Sequence, residues 1–269
     1  MTVVWGGRAV WAARDARVII CPKGVFLFRG EAHPLIGSLV YMNVMSEAVF
    51  KVGMCLPAWL RVGCSFGMIV EQVVNSIFSS NTFLLHEENG LDYWLVDIGD
   101  VEPVLGMLPE GAQVRGVFVT HSHFDHIYGI NALTERFPGC VVYASEHGRE
   151  GLYSDKLNFS RYHGEPLVYR GENVRVLREG DRFALWLGCE AEVFETPGHD
   201  WSCLTYRVGD AVFCGDSYLP GVAVYARFPK SDKVQAAASE RRILELARGR
   251  VLYPGHGEVV DGRLRCGDE

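Results

Sequence analysis

The chain has 269 residues and a net charge of −7, with 48% hydrophobic and 22% charged residues. This composition excludes wholesale disorder, and the acidic balance argues against nucleic acid as the main partner, because phosphate contacts need clustered Lys and Arg. The most apolar stretch, residues 34–45, is too short to span a bilayer, so we expect no membrane partner and a cytoplasmic protein. The eight cysteines form no CxxC pair and are expected to be buried thiols.

Residues 1–67 carry apolar and aromatic residues without a clear period, and no metal-ligand spacing. We interpret them as an N-terminal extension of uncertain order, translated from a start upstream of Met68 and not necessarily part of the native protein. The alternative is an anchor for a membrane or a partner. The pattern becomes regular after Met68, so residues 68–269 are predicted to form the catalytic domain.

Strand and helix signals alternate through this second part of the chain. Asp100, Ser145 and Ser231 each precede a helical pattern and are predicted N-caps. Gly209 and Asp210 are predicted to form a hairpin turn. This mixture indicates sheets covered by helices and not a simple parallel βαβ array. The predicted strands are 70–74, 82–85, 94–98, 117–120, 141–143, 174–177, 191–195, 203–208, 211–214 and 250–253, and the predicted helices are 101–108, 128–137, a short one after Ser145, and 231–247.

The segment from Thr120 to His126 reads Thr-His-Ser-His-Phe-Asp-His, directly after an apolar strand. Residues two apart in an extended segment point the same way, so His121 and His123 can hold one ion together. Asp125 and His126 follow in the next turn and can hold a second. Imidazole and carboxylate suit zinc, and also iron or manganese. A solvated His-rich loop is the alternative, and four ligand-type residues at this spacing make it the weaker one.

Further candidate ligands stand at predicted strand ends. His199 follows Pro-Gly, Asp216 follows Cys-Gly, and His256 lies in Tyr-Pro-Gly-His-Gly. Each alone has an ordinary explanation as a turn, surface or capping residue. Glycine before the ligand allows a sharp turn, which serves a metal site and also any loop.

Taken in chain order, the candidate ligands from His121 to His256 resemble the pattern of the metallo-β-lactamase superfamily, and the resemblance covers residues 70–260. Asp97 in Leu-Val-Asp-Ile-Gly resembles the upstream acidic motif of that family. The resemblance implies an α+β fold, a four-layer αββα sandwich with the metals at one edge. It also implies the following assignment: His121, His123 and His199 for one metal, Asp125, His126 and His256 for the other, Asp216 as the bridge, and Asp97 and Thr120 as groups that orient ligands.

The function that follows is a metal-dependent hydrolase of a small-molecule ester, thioester or related substrate. Two metal ions per chain, expected to be zinc, would hold the attacking hydroxide, and Asp125 would steer it or accept its proton. The glyoxalase II-like thioesterases, or hydroxyacylglutathione hydrolases, match the whole ligand set. Since the sequence ends soon after His256, we expect their C-terminal glutathione-binding helical domain to be absent, which puts glutathione thioesters in doubt.

Other branches and classes fit less well. True β-lactamases of the commonest class use a cysteine near the position of Asp216, where this chain has Cys214 two residues earlier. Flavodiiron proteins have Glu in place of His123, and ribonuclease Z-like enzymes need an RNA-binding arm. A mononuclear iron persulfide dioxygenase, using His121, His199 and Asp216, stays open. A non-catalytic binding module is disfavoured by the intact ligand set.

Substrate contacts are predicted between the two halves of the domain. Asn158 and Tyr162, with Arg161 beside them, are expected near the pocket mouth, where Tyr162, Arg161 and Lys230 could meet an anionic substrate. Ordinary surface polarity explains these residues equally well. The sequence does not predict the oligomeric state.

Overall fold

The computed structural model describes residues 2–5, 8–11, 17–20, 26–29 and 67–265 of the chain, which divides into two compact units, Met1–Arg61 and Val62–Glu269. In the first unit, β1 (Thr2–Trp5) pairs antiparallel with β2 (Arg8–Trp11), and β3 (Arg17–Ile20) with β4 (Phe26–Arg29). The sequence did not predict these strands, since four residues are too few to show a period. Most of the extension predicted for residues 1–67 lies outside the described residues.

The second unit contains two six-stranded sheets. In the first sheet, the first three strands run antiparallel and the remaining neighbours run parallel. Its strands, in sheet order, are β5 (Met68–Val74), β6 (Asn81–Glu87), β7 (Asp92–Val96), β8 (Gln113–Phe118), β9 (Val141–Ala144) and β10 (Val174–Val176).

The second sheet is antiparallel except for one parallel pair, β14 with β15. The predicted hairpin turn at Gly209 and Asp210 is confirmed, because Val208 and Ala211 are paired across it. Its strands, in sheet order, are β11 (Arg182–Trp186), β12 (Cys189–Glu195), β13 (Leu204–Val208), β14 (Ala211–Gly215), β15 (Val251–Pro254) and β16 (Val260–Asp261).

Helices are short in this unit. They are α1 (Val101–Met107), α2 (Phe124–Ile127), α3 (Ile130–Arg136), α4 (Glu146–Leu152) and α5 (Lys233–Leu246), with 3-10 turns at Ser160–Tyr162 and Gly262–Arg265. Within the described parts of the chain, none of the helices has the length and apolar character needed to cross a bilayer.

The strands place alternate residues in different cores, as their period of two requires. On β6, Phe83 and Leu85 pack between the two sheets, while Leu84 packs on the opposite face beneath α1 and α3. On β14, Phe213 points between the sheets, and Val212 packs beneath α5. The layers are therefore helix, sheet, sheet and helix, and the predicted α+β sandwich is confirmed.

Of the predicted helix caps, Asp100 occupies the N-cap position of α1 without a side-chain capping bond, and the prediction of Ser231 is wrong. Asp100 precedes α1 but makes no capping bond, because its carboxylate accepts hydrogen bonds from Ser76 and Tyr128. The cap of α5 is Asp232 and not Ser231, since Asp232 accepts from the first free backbone N–H groups of the helix. The cap at Ser145 is confirmed: its hydroxyl accepts from the N–H of Gly148 (3.0 Å).

The thiols of Cys140, Cys203 and Cys214 are buried and form no disulfide, and Cys189 is buried as well. Burial raises the pKa of the Cys140 thiol to about 12, and raises the pKa of Cys203 and Cys214 also. A thiol of raised pKa is a poor nucleophile. These cysteines therefore serve as core residues, as predicted for the part of the chain that is described.

Candidate metal centre

The His-rich segment begins just beyond the end of β8. Because β7 and β8 are parallel neighbours, their carboxyl ends lie at the same edge of the sheet, and Asp97 and His121 follow these two ends. The N–H of Asp97 donates to the carbonyl of Phe118 (2.9 Å), and the N–H of Ile98 donates to the carbonyl of His126 (2.8 Å). These bonds hold the segment after β7 against the His-rich segment.

One group of possible ligands contains His121, His123 and His199, whose ligand atoms lie within 4.8 Å of one another. His199 comes from the loop after β12, and its Nε2 lies 3.0 Å from Nδ1 of His123. The Nδ1 of His199 lies 2.8 Å from the carbonyl oxygen of Tyr225. Since a carbonyl only accepts hydrogen bonds, Nδ1 carries the proton, and Nε2 keeps a lone pair for a cation.

A second group contains Asp125, His126 and His256, again within 4.8 Å. The Nε2 of His256 lies 3.2 Å from Oδ2 of Asp125 and 3.3 Å from Nε2 of His126. The Nδ1 of His256 lies 3.1 Å from the carbonyl oxygen of Phe78, so this imidazole also directs its proton to the backbone. In the neutral form of His256, Nε2 is therefore the atom with a free lone pair, and it faces the cluster.

Asp216 lies between these two groups, just beyond β14. Its Oδ1 is 3.4 Å from Nε2 of His126, and its Oδ2 is 3.6 Å from Nε2 of His199 and 3.4 Å from Nε2 of His256. The two oxygens of one carboxylate therefore face histidines of both groups. This is the position that a bridging ligand would take.

Asp97 and Thr120, predicted to orient ligands, lie behind the histidines. The Oδ2 of Asp97 is 2.8 Å from Nδ1 of His126 and accepts a 2.7 Å hydrogen bond from the hydroxyl of Thr120. That hydroxyl oxygen is 3.1 Å from Nδ1 of His121. Since its proton goes to Asp97, it accepts from Nδ1 of His121, and Nδ1 of His126 donates to Asp97, so the Nε2 atoms of both histidines are the ones turned toward the candidate metal centre.

The sequence analysis missed Asp200, which follows His199 directly. This side chain is 2% exposed, and its Oδ2 lies 3.7 Å from Nε2 of His123. Its Oδ1 accepts hydrogen bonds from the backbone and hydroxyl of Ser202. Asp200 thus faces the ring nitrogen of His123 opposite the one near His199. An acidic residue next to a candidate ligand was the available signal.

Two glycines are required by close packing around the cluster. A Cβ atom at Gly255 would lie 2.1 Å from Oδ1 of Asp216 and 2.9 Å from Cε1 of His126. At Gly215, where φ is +51°, a Cβ atom would lie 2.5 Å from the hydroxyl of Thr120. A side chain at either position would push a candidate ligand or its support out of place, which explains the glycine before both His256 and Asp216.

The charge state of the cluster suits a cation. Burial lowers the pKa of His121 well below its ordinary value and lowers that of His199, so both imidazoles are neutral near pH 7. Burial would also lower the pKa of His256, but Asp125 and Asp216 outweigh it and raise this pKa to about 9. Burial raises the pKa of Asp216, yet the neighbouring histidines hold it well below its usual range. Ionised carboxylates therefore face the neutral imidazoles of His121 and His199, and they stabilise the protonated form of His256, whose extra proton a bound cation would displace.

Buried ligand atoms lack hydrogen-bond partners within the described part of the chain, His121 Nε2 and Asp216 Oδ1 among them. An unpaired buried polar group costs about 1–3 kcal/mol, and a cation among these atoms would supply the missing interaction. Imidazole nitrogen and carboxylate oxygen are ligands that zinc accepts, as do iron and manganese. The residues present therefore fit the metal that the family resemblance implies.

The residues predicted to contact substrate differ in their burial and in the groups that they contact. Asn158 is fully buried, and its amide group donates to the carbonyls of Gly151 and Leu167, so this geometry does not favour a substrate contact. Tyr162 is 64% exposed. The ammonium of Lys230 lies 4.0 Å from the ring centre of Trp201.

Two sheets faced by helices, with a buried His–Asp cluster beside the strand ends, define an αββα protein able to hold metal ions. The family model described as "Metallo-beta-lactamase superfamily" matches residues 78–256, which is more than half of the chain. The chain belongs to the metallo-beta-lactamase superfamily.

The chain is also similar to individual members of this superfamily. The chain is 34% identical to the hydroxyacylglutathione hydrolase of Cronobacter sakazakii over 148 residues, 54% of this chain and 50% of that protein. The chain spans about half the length of the curated relatives it matches. Among solved structures, TTHA1623 in a di-iron-bound form is 26% identical, with a TM-score of 0.61 over 72% of this chain and 96% of that chain. The BLEG-1 B3 metallo-beta-lactamase, 24% identical, shares the fold, with a TM-score of 0.66 over 71% of this chain and 93% of that chain.

Proposed function

We propose that this protein is a metal-dependent hydrolase that cleaves a small ester, thioester or related substrate, with two metal ions per chain. Zinc is the expected metal, and iron and manganese are the alternatives. The observation that supports the proposal most directly is the placement of Asp216, whose Oδ1 faces His126 and whose Oδ2 faces His199 and His256. One carboxylate whose two oxygens face both groups of histidines can bind two cations, whereas a single cation held by His121, His199 and Asp216 would leave Asp125, His126 and His256 without a metal.

The orientation of the imidazoles supports the same proposal. His121, His126, His199 and His256 each direct Nδ1 to an oxygen of the protein, which leaves Nε2 as the ligand atom. A ligand histidine usually gives its other N–H to such an oxygen, which sets its tautomer and its ring orientation. We propose Asp97 and Thr120 as these supporting groups for His126 and His121.

When bound, two such cations would polarise the electrophilic oxygen and lower the pKa of an attacking water, to about 7 for zinc. The chain supplies the proton acceptor: burial raises the pKa of Asp125, but His126 and His256 outweigh it and lower this pKa. Its carboxylate is therefore ionised at neutral pH and can accept the proton of the water or orient it. We propose Asp125 for this role.

The hydroxyacylglutathione hydrolases support thioester cleavage as the chemistry, and the half-length match leaves the thiol portion open. We further propose that the enzyme acts in the cytoplasm on a small molecule. The described cysteines are consistent with a reducing compartment, since Cys140, Cys203 and Cys214 are thiols.

Elemental analysis of the purified full chain, combined with an assay of thioester hydrolysis, tests the proposal. We expect close to two metal equivalents per chain and release of free thiol that stops when a chelator removes the metal. A reproducible single iron, with oxygen consumption in the presence of a persulfide, would replace the hydrolase with the mononuclear dioxygenase alternative.

A further inference from the structure

Aromatic rings cover one side of the candidate metal centre. The ring of Phe228 lies 4.9 Å from that of His123 and 5.5 Å from that of His199, edge-on to both. The ring of Phe159 lies 5.0 Å from His123 and 5.1 Å from Phe228. Tyr225 continues this surface, 4.8 Å from Phe228. We refer to Phe159, Phe228 and Tyr225 as the aromatic wall. Both phenylalanines are only half-buried.

The backbone around Phe159 is held in a conformation that a phenylalanine rarely adopts. Its φ is +64°, in the left-handed region, where a bulky residue is a true outlier. Asn158 anchors the loop, because its amide group donates to two carbonyls and its backbone carbonyl accepts from the N–H of Phe124 (2.9 Å), inside the His-rich segment. Strained residues persist where the surroundings over-determine them, and they cluster at functional sites. The loop therefore holds Phe159 beside His123 at a cost to the backbone.

Phe228 is also tied to a candidate ligand. The N–H of Phe228 donates to the hydroxyl of Ser231 (3.1 Å), and that hydroxyl donates to the backbone carbonyl of His199. The carbonyl of Tyr225 accepts from Nδ1 of His199. The turn that carries Tyr225 and Phe228 is thus bonded to both the backbone and the side chain of His199, and the loop of Asn158 holds Phe159, so the aromatic wall is a preorganised surface.

Two basic side chains, Arg161 and Lys230, were predicted to meet an anionic substrate, but both contact other residues. Arg161 donates to Asp155 (2.7 Å), and Lys230 lies over Trp201. Small-molecule sites bind chiefly through apolar and aromatic surface, with a few polar groups that fix orientation. The rings beside His123 and His199 supply the apolar surface, and the His–Asp cluster supplies the polar groups.

We propose that the aromatic wall is a substrate subsite that selects an ester or thioester carrying an apolar group of four or more carbons next to the scissile bond. This inference rests on the proposed function and goes further, because it separates the preferred substrate from a small polar acyl compound. The apolar group can belong to the acyl portion or to the leaving group, and the experiment distinguishes the two.

The test uses the metal-loaded full chain and thioesters of N-acetylcysteamine, whose leaving group is small and polar. We expect the hexanoyl thioester to exceed the acetyl thioester in kcat/KM by about tenfold, as partial burial of the added methylenes implies. A second series compares acetyl thioesters of N-acetylcysteamine and hexanethiol. In the series that shows the preference, Phe228→Ala should bring the ratio of the two kcat/KM values, six-carbon over short substrate, to within about threefold of one. Each ratio is internal to one preparation, so a loss of folded or metal-loaded enzyme cancels.

The matched control is Leu187→Ala, which removes a side chain that is 87% exposed between β11 and β12 and should keep the wild-type ratio. Binding of hexanoate and acetate, measured by calorimetry, gives a second readout without turnover. Hexanoate should bind about tenfold more tightly than acetate, and Phe228→Ala should remove the difference. If the thioesters are hydrolysed but neither series shows a preference for the six-carbon group, the aromatic-wall inference is overturned and the proposed hydrolase is not. Absence of hydrolysis overturns the hydrolase, and selective binding of hexanoate would then keep only the selection of an apolar group by the aromatic wall. Absence of both hydrolysis and selective binding overturns both proposals.

Discussion

Nδ1 of His126 lies 2.8 Å from Oδ2 of Asp97, and both side chains are buried. Asp97 also accepts from the backbone and hydroxyl of Thr120, and its φ is +57°. Although burial lowers the pKa of His126, the carboxylates of Asp125, Asp216 and Asp97 raise it well above its ordinary value. Asp97 therefore supports the candidate ligand His126 in two ways, since its hydrogen bond orients the imidazole ring and its negative charge faces Nδ1.

Asp97→Asn should weaken metal binding while preserving the fold. Asparagine tolerates the left-handed backbone of Asp97 and matches its shape, but it removes the charge that faces His126. Loss of such a supporting carboxylate typically lowers metal affinity by about 10–100-fold. Competition with a chromophoric zinc chelator measures the change. An affinity equal to that of the wild type would contradict the supporting role.

Asp216→Ala and Asp100→Ala should separate a ligand from a structural carboxylate. Asp216 faces both groups of histidines, so its loss should lower metal content and nearly abolish turnover. Asp100 binds Ser76 and Tyr128, so its loss should keep the metal and lower the free energy of unfolding by about 2 kcal/mol. Elemental analysis and chemical denaturation measure both effects. An Asp216→Ala variant with both ions and full activity would show that the ligand assignment is wrong.

The contribution of Asp100 to stability should disappear in acid. Burial raises the pKa of Asp100, but hydrogen bonds from Tyr128 and Ser76 outweigh it and lower this pKa below the ordinary 3.8. A lowered folded-state pKa stabilises the protein above the unfolded-state value, and this stability is lost as the pH falls through the folded-state value. The difference in unfolding free energy between the wild type and Asp100→Asn should therefore shrink from pH 6 to pH 3. A difference that stays constant from pH 6 to pH 3 would contradict this contribution.

Phe159→Gly should be more stable than Phe159→Ala by about 1 kcal/mol, because glycine has no Cβ atom to strain at a φ of +64°. Both variants lose the same ring, so their difference isolates the backbone. Thermal unfolding of the two metal-loaded variants measures it. Equal melting temperatures would indicate that Phe159 carries no strain.

A chain that begins at Met68 should fold and bind metal, because residues 68–269 hold all the candidate ligands. The first strand of its sheet, β5, starts at Met68 and pairs along its full length with β6. Solubility and metal content, compared with the full chain, provide the test. Aggregation of the shorter chain alone would show that residues 1–67 belong to the folded core.

The sequence by itself determined the ligand types, their order and the alternation of the strands. These features are local: His121 and His123 stand two apart, and residues 82–85 are a run of residue types typical of strands. The layered fold and the candidate ligands followed from such patterns together with the family resemblance.

Only the tertiary structure decided how the other polar residues are used. Asp100 was predicted to cap α1, yet Ser76 and Tyr128, 24 and 28 residues away in sequence, take up its carboxylate. Asp200 faces His123 from the other half of the domain, and Asn158 supports the loop of Phe159 from within. Each of these choices is a competition between a local hydrogen bond and one across the fold. Its outcome depends on which distant groups strand pairing brings within about 3 Å.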